Sequence, residues 1–138
     1  MTASPAPDSP QDQAVQAGTQ PQPVKLPAQH LERPELEADL ALQPRFMAPD
    51  YRGSGKLQDK VALITGGDSG IGRAVAVLYA REGCDVAIVY LASHDDAQET
   101  KRHVEAEGRR CELIPGDVSD PAFCNQAVAR ALQAFGHL

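Results

Sequence analysis

The chain has 138 residues, a formal net charge of −6 and 4% aromatic residues, enough for one ordinary domain. That balance excludes both the basic patch a phosphate backbone requires and the aromatic platforms that stack on single strands, so no nucleic-acid partner is expected. Cys84, Cys111 and Cys124 form no CxxC and have no histidine pair nearby, so they read as buried free thiols in a reducing cytosol, with no metal site.

Residues 1–50 hold nine of the eleven prolines, seven glutamines, one glycine and a charge of −4 (3 basic, 7 acidic). Such a segment cannot bury enough surface to offset its ordering entropy, and residues 1–44 read as a Pro/Gln-rich disordered tail. Within it "LERPELEADLAL" (31–42) sets Leu36 and Leu40 four apart, a transient helical turn at most. Residues 45–59 are expected to be an irregular lead-in on the domain surface, anchored by Phe46, Met47 and Tyr51. No Lys or Arg precedes Lys25, no apolar h-region follows, and no run approaches the ~18 apolar residues of a membrane span. A soluble, cytoplasmic protein without membrane contact is expected.

Regular patterning begins at Lys60. "KVALITGG" (60–67) is a short continuous apolar run, the pattern of a strand buried on both faces. Ile71, Ala74, Val75, Leu78 and Tyr79 then recur at helical spacing until Gly83. "CDVAIVYL" (84–91) is a second buried strand. Ser93 can cap the next helix (about 94–107), with Asp95 and Asp96 suited to its N-terminus, Ala97 and Val104 facing inward and Gly108 closing it. "CELIPGDV" (111–118) is the third strand running into a loop, and Asp120-Pro121 starts a helix whose apolar face is Phe123, Ala127, Val128, Ala131, Leu132 and Phe135, stopped by Gly136. The β-α-β-α-β-α order implies parallel strands with right-handed crossovers.

The glycine-rich loop between the first strand and helix carries the chemistry. A helix that starts directly behind a buried strand aims unsatisfied N–H groups and a positive dipole end at the crevice above the sheet. An anionic pyrophosphate fits there if the backbone can approach it. In this reading Gly66 makes the turn, Gly70 leaves room for the phosphates, Gly72 lets the helix pack closely on the strand, and Ser69 bonds phosphate or caps the helix. The rival P-loop pattern fits poorly: Gly67 and Gly72 have its separation, but Arg73 and Ala74 stand where it needs Lys and Ser/Thr.

"TGGDSGIG", Thr65–Gly72, resembles the TGxxxGIG signature of the short-chain dehydrogenase/reductase family, and "GDV", Gly116–Val118, resembles that family's aspartate after the third strand. The lead-in "YRGSGKLQDKVALITGGDSGIG" (51–72) is similar to an N-terminally extended, general-stress or aldehyde-reductase-like subgroup, and the similarity covers about residues 43–138. The resemblance implies an α/β fold, a Rossmann-type parallel sheet of which this chain holds the first three β-α units, incomplete as a doubly wound fold. It implies NAD or NADP as cofactor, held by Thr65, Gly66, Asp68, Ser69, Gly70, Ile71 and Gly72. Thr65 would fix the loop, Asp117 would accept from the adenine amino group, and Val118 would line the adenine slot.

At the ribose the chain departs from the family. Proteins preferring NAD usually end the second strand with an acid; here Tyr90 stands there, and Leu91 and Ser69 occupy positions where NADP users often carry Arg. Asp68 tips the reading slightly toward NAD. The family's Y-x-x-x-K is absent, since Gly55, Gly83 and His94 follow four residues after Tyr51, Tyr79 and Tyr90, and Asn125 is the only asparagine, so no NNAG exists. His30, His94, His103 and His137 read as solvated side chains rather than bases. No catalytic residue is assigned. The chain is therefore expected to be the dinucleotide-binding half of a longer oxidoreductase that acts on a small carbonyl or alcohol and forms a homo-oligomer. The alternative is the product of a truncated gene, a non-catalytic nucleotide-binding or interaction module.

Overall fold

A computed structural model of the protein describes residues 25, 28–31 and 36–138. Most of the stretch read as a disordered tail, 1–24, 26–27 and 32–35, lies outside the described residues. The chain divides into two units, Met1–Tyr51 and Arg52–Leu138. In the first, a 3-10 turn runs over Glu37–Asp39, within the stretch where the Leu36/Leu40 spacing suggested a helical turn. Side chains hold the backbone just after it: the Gln43 amide donates to the Leu40 carbonyl at 2.9 Å, and the Gln29 side-chain oxygen accepts from the Ala41 N–H at 2.9 Å.

The second unit alternates strand and helix in the order β1 (Val61–Thr65), α1 (Gly70–Arg81), β2 (Asp85–Tyr90), α2 (His94–Ala106), β3 (Cys111–Pro115) and α3 (Pro121–Phe135). All three strands are parallel, in the spatial order β1-β2-β3. The register sets Val61 opposite Asp85 and Val86 opposite Cys111. β2 is buried along its whole length because it has a neighbour on each side and helices over each face. Its alternating side chains feed two cores. Val86, Ile88 and Tyr90 join Ala76 and Ala80 of α1 and Ala97 and Val104 of α2 on one face. Ala87 and Val89 join Ile114 and the α3 residues Ala127 and Ala131 on the other.

Several expectations are corrected. β1 was read as buried on both faces, but it lies at the sheet edge with only β2 beside it, and Val61 to Ile64 are half-buried. The buried face of α1 is Arg73, Ala76, Val77 and Ala80, not the face through Ile71 and Tyr79, both of which are exposed. Small residues let α1 lie close against the sheet and α2, whereas periodicity alone favoured the larger side chains. On α3, Val128 and Leu132 are exposed while Ala127 and Ala131 are buried. Cys84 and Cys111 are buried as read, and burial pushes the Cys111 thiol up to about 12. Cys124 is only half-buried, its thiol donating to the Val118 carbonyl at 3.2 Å.

Helix starts differ in how they are capped. Asp120 caps α3, accepting from the Ala122 N–H at 2.8 Å with Pro121 behind it. Ser93 precedes α2 without a side-chain capping bond; its backbone (φ −79°, ψ 72°) is not the extended geometry that aims a cap at the first-turn amides. Ser69 has that extended geometry but likewise makes no side-chain capping bond.

A polar fastening tied to no sequence motif holds the residues just before β1. The Glu82 carboxylate, at the end of α1, accepts from the Ser54 and Lys56 N–H groups, both at 2.9 Å. The backbone adds Leu57 N–H to the Glu82 carbonyl at 3.0 Å and Asp59 N–H to the Gly83 carbonyl at 3.3 Å.

Candidate dinucleotide site

Because the strands are parallel and in register, their carboxyl ends meet along one edge of the sheet, Thr65 beside Val89 and Tyr90 beside Pro115. The three loops that leave this edge, with the strand and helix ends that flank them, hold the candidate cofactor residues. Ligands of open α/β sheets bind at such an edge.

The first loop runs from Gly66 to Ser69. Gly66 takes a left-handed conformation (φ +65°), and its N–H donates to the Val89 carbonyl at 2.8 Å, fastening the turn to β2. Gly67 is buried, and a Cβ there would stand 2.9 Å from the Ile88 side chain. Gly70, the first residue of α1, is also left-handed (φ +52°). A Cβ on Gly72 would run into the Gly66 carbonyl. The close approach expected at Gly72 is thus to the loop backbone at the end of the strand. These contacts draw the first turn of α1, whose amides lack intrahelical acceptors, tightly over the end of β1. Thr65, Gly66 and Gly70 are exposed, Asp68, Ser69 and Gly72 half-buried, and Ile71 is 86% exposed.

Inside the loop the Asp68 carbonyl points into the protein. It accepts from Arg73 Nη2 at 2.9 Å, Arg73 Nε at 3.2 Å and the Thr100 hydroxyl at 2.9 Å. Sequence reasoning weighed Arg73 only as a failed P-loop lysine. The detectable signal was the spacing of Thr100 between Ala97 and Val104 on the inward face of α2, which marks it as a buried polar residue in need of a partner.

At the second loop, Tyr90 ends β2 with its ring in the core beneath α1 and α2. Its hydroxyl lies 2.9 Å from His94 Nδ1, and the two rings meet edge to face with centroids 5.4 Å apart. Burial raises the phenol above its ordinary pKa. His94 is exposed, as read, and is engaged as well by the Tyr90 hydroxyl. His103 is half-buried beside Glu99, with burial lowering its pKa, and His137 bonds the Asp59 carbonyl at 3.0 Å.

At the third loop, the Gly116 N–H donates to the Tyr90 carbonyl at 2.8 Å, and a Cβ on Gly116 would strike the Phe123 ring. Asp117 is exposed, and its Oδ1 accepts from the Ser119 N–H at 2.8 Å, a bond that lowers its pKa. Val118 presents an exposed side chain beside it. Among the described residues no three His, Cys, Asp or Glu side chains gather to hold a metal ion, and no helix is long and apolar enough to cross a membrane.

Residues 60–138 match the sequence model of the family described as short chain dehydrogenase. General stress protein 39 of Bacillus subtilis is 54% identical over 117 residues, spanning 84% of this chain and 41% of that protein. Among solved structures, a short chain dehydrogenase from Burkholderia cenocepacia in complex with NADP shares 47% identity with a TM-score of 0.57, over 59% of this chain and 33% of that one. A short chain dehydrogenase from Mycobacterium paratuberculosis bound to NAD shares 38% identity with a TM-score of 0.56, over 60% of this chain and 35% of that one.

Proposed function

The chain belongs to the short-chain dehydrogenase/reductase family, and from that premise we propose that residues 60–138 bind the adenosine diphosphate half of NAD or NADP. The pyrophosphate lies against the amides of the loop formed by Thr65, Gly66, Asp68, Ser69, Gly70, Ile71 and Gly72. The ribose approaches Tyr90, Asp117 accepts from the adenine amino group, and Val118 lies along the adenine ring. The single observation that carries this reading is the tight seating of Gly72 on the Gly66 carbonyl, which draws the first turn of α1 over a loop left open at Gly66, where a Cβ would meet nothing within 4 Å. The bare backbone presented there, at the carboxyl edge of a parallel sheet, suits an anion that must approach amides closely.

The coenzyme, when bound, supplies the hydride acceptor or donor; the residues of this chain bind and orient it. With no acid and no arginine at the end of β2, both coenzymes fit, and the Asp68 carboxylate favours NAD slightly over a 2′-phosphate. The whole protein then oxidises or reduces a small alcohol or carbonyl in the cytoplasm as a homo-oligomer, with its general acid/base outside these residues. Calorimetric titration of the purified chain with ADP-ribose, NAD and NADP tests the binding step. Weak binding of all three is expected, because the candidate residues serve only the adenosine diphosphate half of the coenzyme; absence of heat with every one of them overturns the reading.

A further inference from the structure

Arg73 is 3% exposed, and arginine at such depth has to be explained by its partners. It sits on the buried face of α1 among Ala76, Val77 and Ala80, where an apolar side chain would pack without the cost of desolvating a cation. Two of its nitrogens converge on the Asp68 carbonyl, and Nε also donates to the Thr100 hydroxyl at 3.0 Å. That hydroxyl passes the bond on to the same carbonyl. The positive charge is balanced by Asp96 Oδ1 at 3.4 Å and Glu99 Oε1 at 3.8 Å, both on α2.

A trans peptide holds its C=O and N–H in one plane, pointing opposite ways. Gripping the Asp68 carbonyl from inside therefore aims the Ser69 N–H away from the core, toward the open side of the loop. We propose that Arg73, with Thr100 as its relay, is a positioning residue for the dinucleotide: it orients the Asp68–Ser69 peptide so that this amide meets the pyrophosphate. Its role is the reverse of a P-loop lysine. The guanidinium never touches the phosphate; it faces the other side of the peptide that does. The same contacts tie the loop to α2 as well as α1. The inference rests on the dinucleotide reading above.

The test measures ADP-ribose affinity and melting temperature for the 138-residue chain and for Arg73→Met, Arg73→Lys and Thr100→Val. Arg73→Met is expected to weaken binding about tenfold or more, as a charge-assisted grip on the loop is lost. Arg73→Lys, which keeps the charge but not the two-pronged donor, recovers only part of that loss. Thr100→Val preserves side-chain shape and is expected to weaken binding about threefold. It decides the matter if Arg73→Met does not fold. Two further readouts separate positioning from general stability and from direct phosphate binding. A variant in α3 such as Ala131→Leu, matched in melting temperature, leaves affinity unchanged, and the salt dependence of binding keeps its slope in Arg73→Met. No binding by the unaltered chain overturns the dinucleotide reading and this inference with it. Binding by the unaltered chain that persists within about twofold in folded Arg73→Met, or in Thr100→Val if the former is unfolded, overturns the positioning role alone.

Discussion

Two buried aspartates show how residue-level surroundings set opposite responses to acid. Asp85, at the start of β2, bonds Arg109 Nε at 2.9 Å, the Arg110 N–H at 3.0 Å and Arg110 Nε at 2.8 Å. Burial raises its pKa, but the Arg110 backbone and side chain together with the charge of Arg109 outweigh that and leave it lowered. A depressed folded pKa contributes stability that is complete above the ordinary carboxylate range and lost as pH falls through the lowered value. Asp96 is the opposite case, raised mainly by burial, so its contribution is full at low pH and declines as pH rises through its raised pKa. Urea melts of the unaltered chain and Asp85→Asn between about pH 7 and pH 3 check the first. The variant is expected to lose about 1–3 kcal/mol at neutral pH and to converge on the unaltered chain in acid. A constant gap across the range would show that the carboxylate charge is irrelevant there.

Among the elements, α1 shows how periodicity can name the right helix and the wrong face. Both faces repeat at helical spacing, and Ile71 and Tyr79 offer more surface to bury than alanines do. Packing decided otherwise, because α1 is drawn close at its first turn by the Gly72–Gly66 approach and meets the core cluster through Ala76 and Ala80. Substitutions on the two faces should therefore differ. Ala76→Leu is expected to cost about 1–3 kcal/mol by overpacking, while Ile71→Ser stays within about 0.5 kcal/mol of the unaltered chain. Equilibrium denaturation measures both, and equal costs would contradict the observed face.

Across the whole of the second unit, both crossovers into the sheet run over one face, whereas α3 lies on the other. Right-handed crossovers require a reversal of helix face to accompany a reversal of direction across the sheet. A strand following α3 would therefore pair along the free edge of β1, which makes the carboxyl end of β1 the switch point where the glycine loop sits. Among the described residues that edge has no partner strand, and α3 shows Val128 and Leu132 at 42% exposure each. Unpaired parallel edges and apolar helix faces favour association. Sedimentation over a hundredfold concentration range is expected to show reversible self-association of the isolated chain; a monomer throughout, with one cooperative melt, would contradict it.

What the residues determined by themselves were the elements and their punctuation. Strands declared themselves as short apolar runs and helix ends as Gly83, Gly108 and Gly136. The start of α3 lay in Asp120-Pro121, and the glycine loop in the spacing of Gly66, Gly70 and Gly72. Each of these is a local matter of backbone sterics and hydrogen bonding within a few positions. Only the tertiary structure decided that alanines rather than Ile71 and Tyr79 face the core, and that Arg73, Thr100 and Asp68 share one polar knot. These depend on which surfaces meet, and Asp68 and Thr100 are separated by 32 positions in the chain. The loop's composition was written locally, but the partners of its Asp68 carbonyl were brought together from α1 and α2 by the packing of those helices.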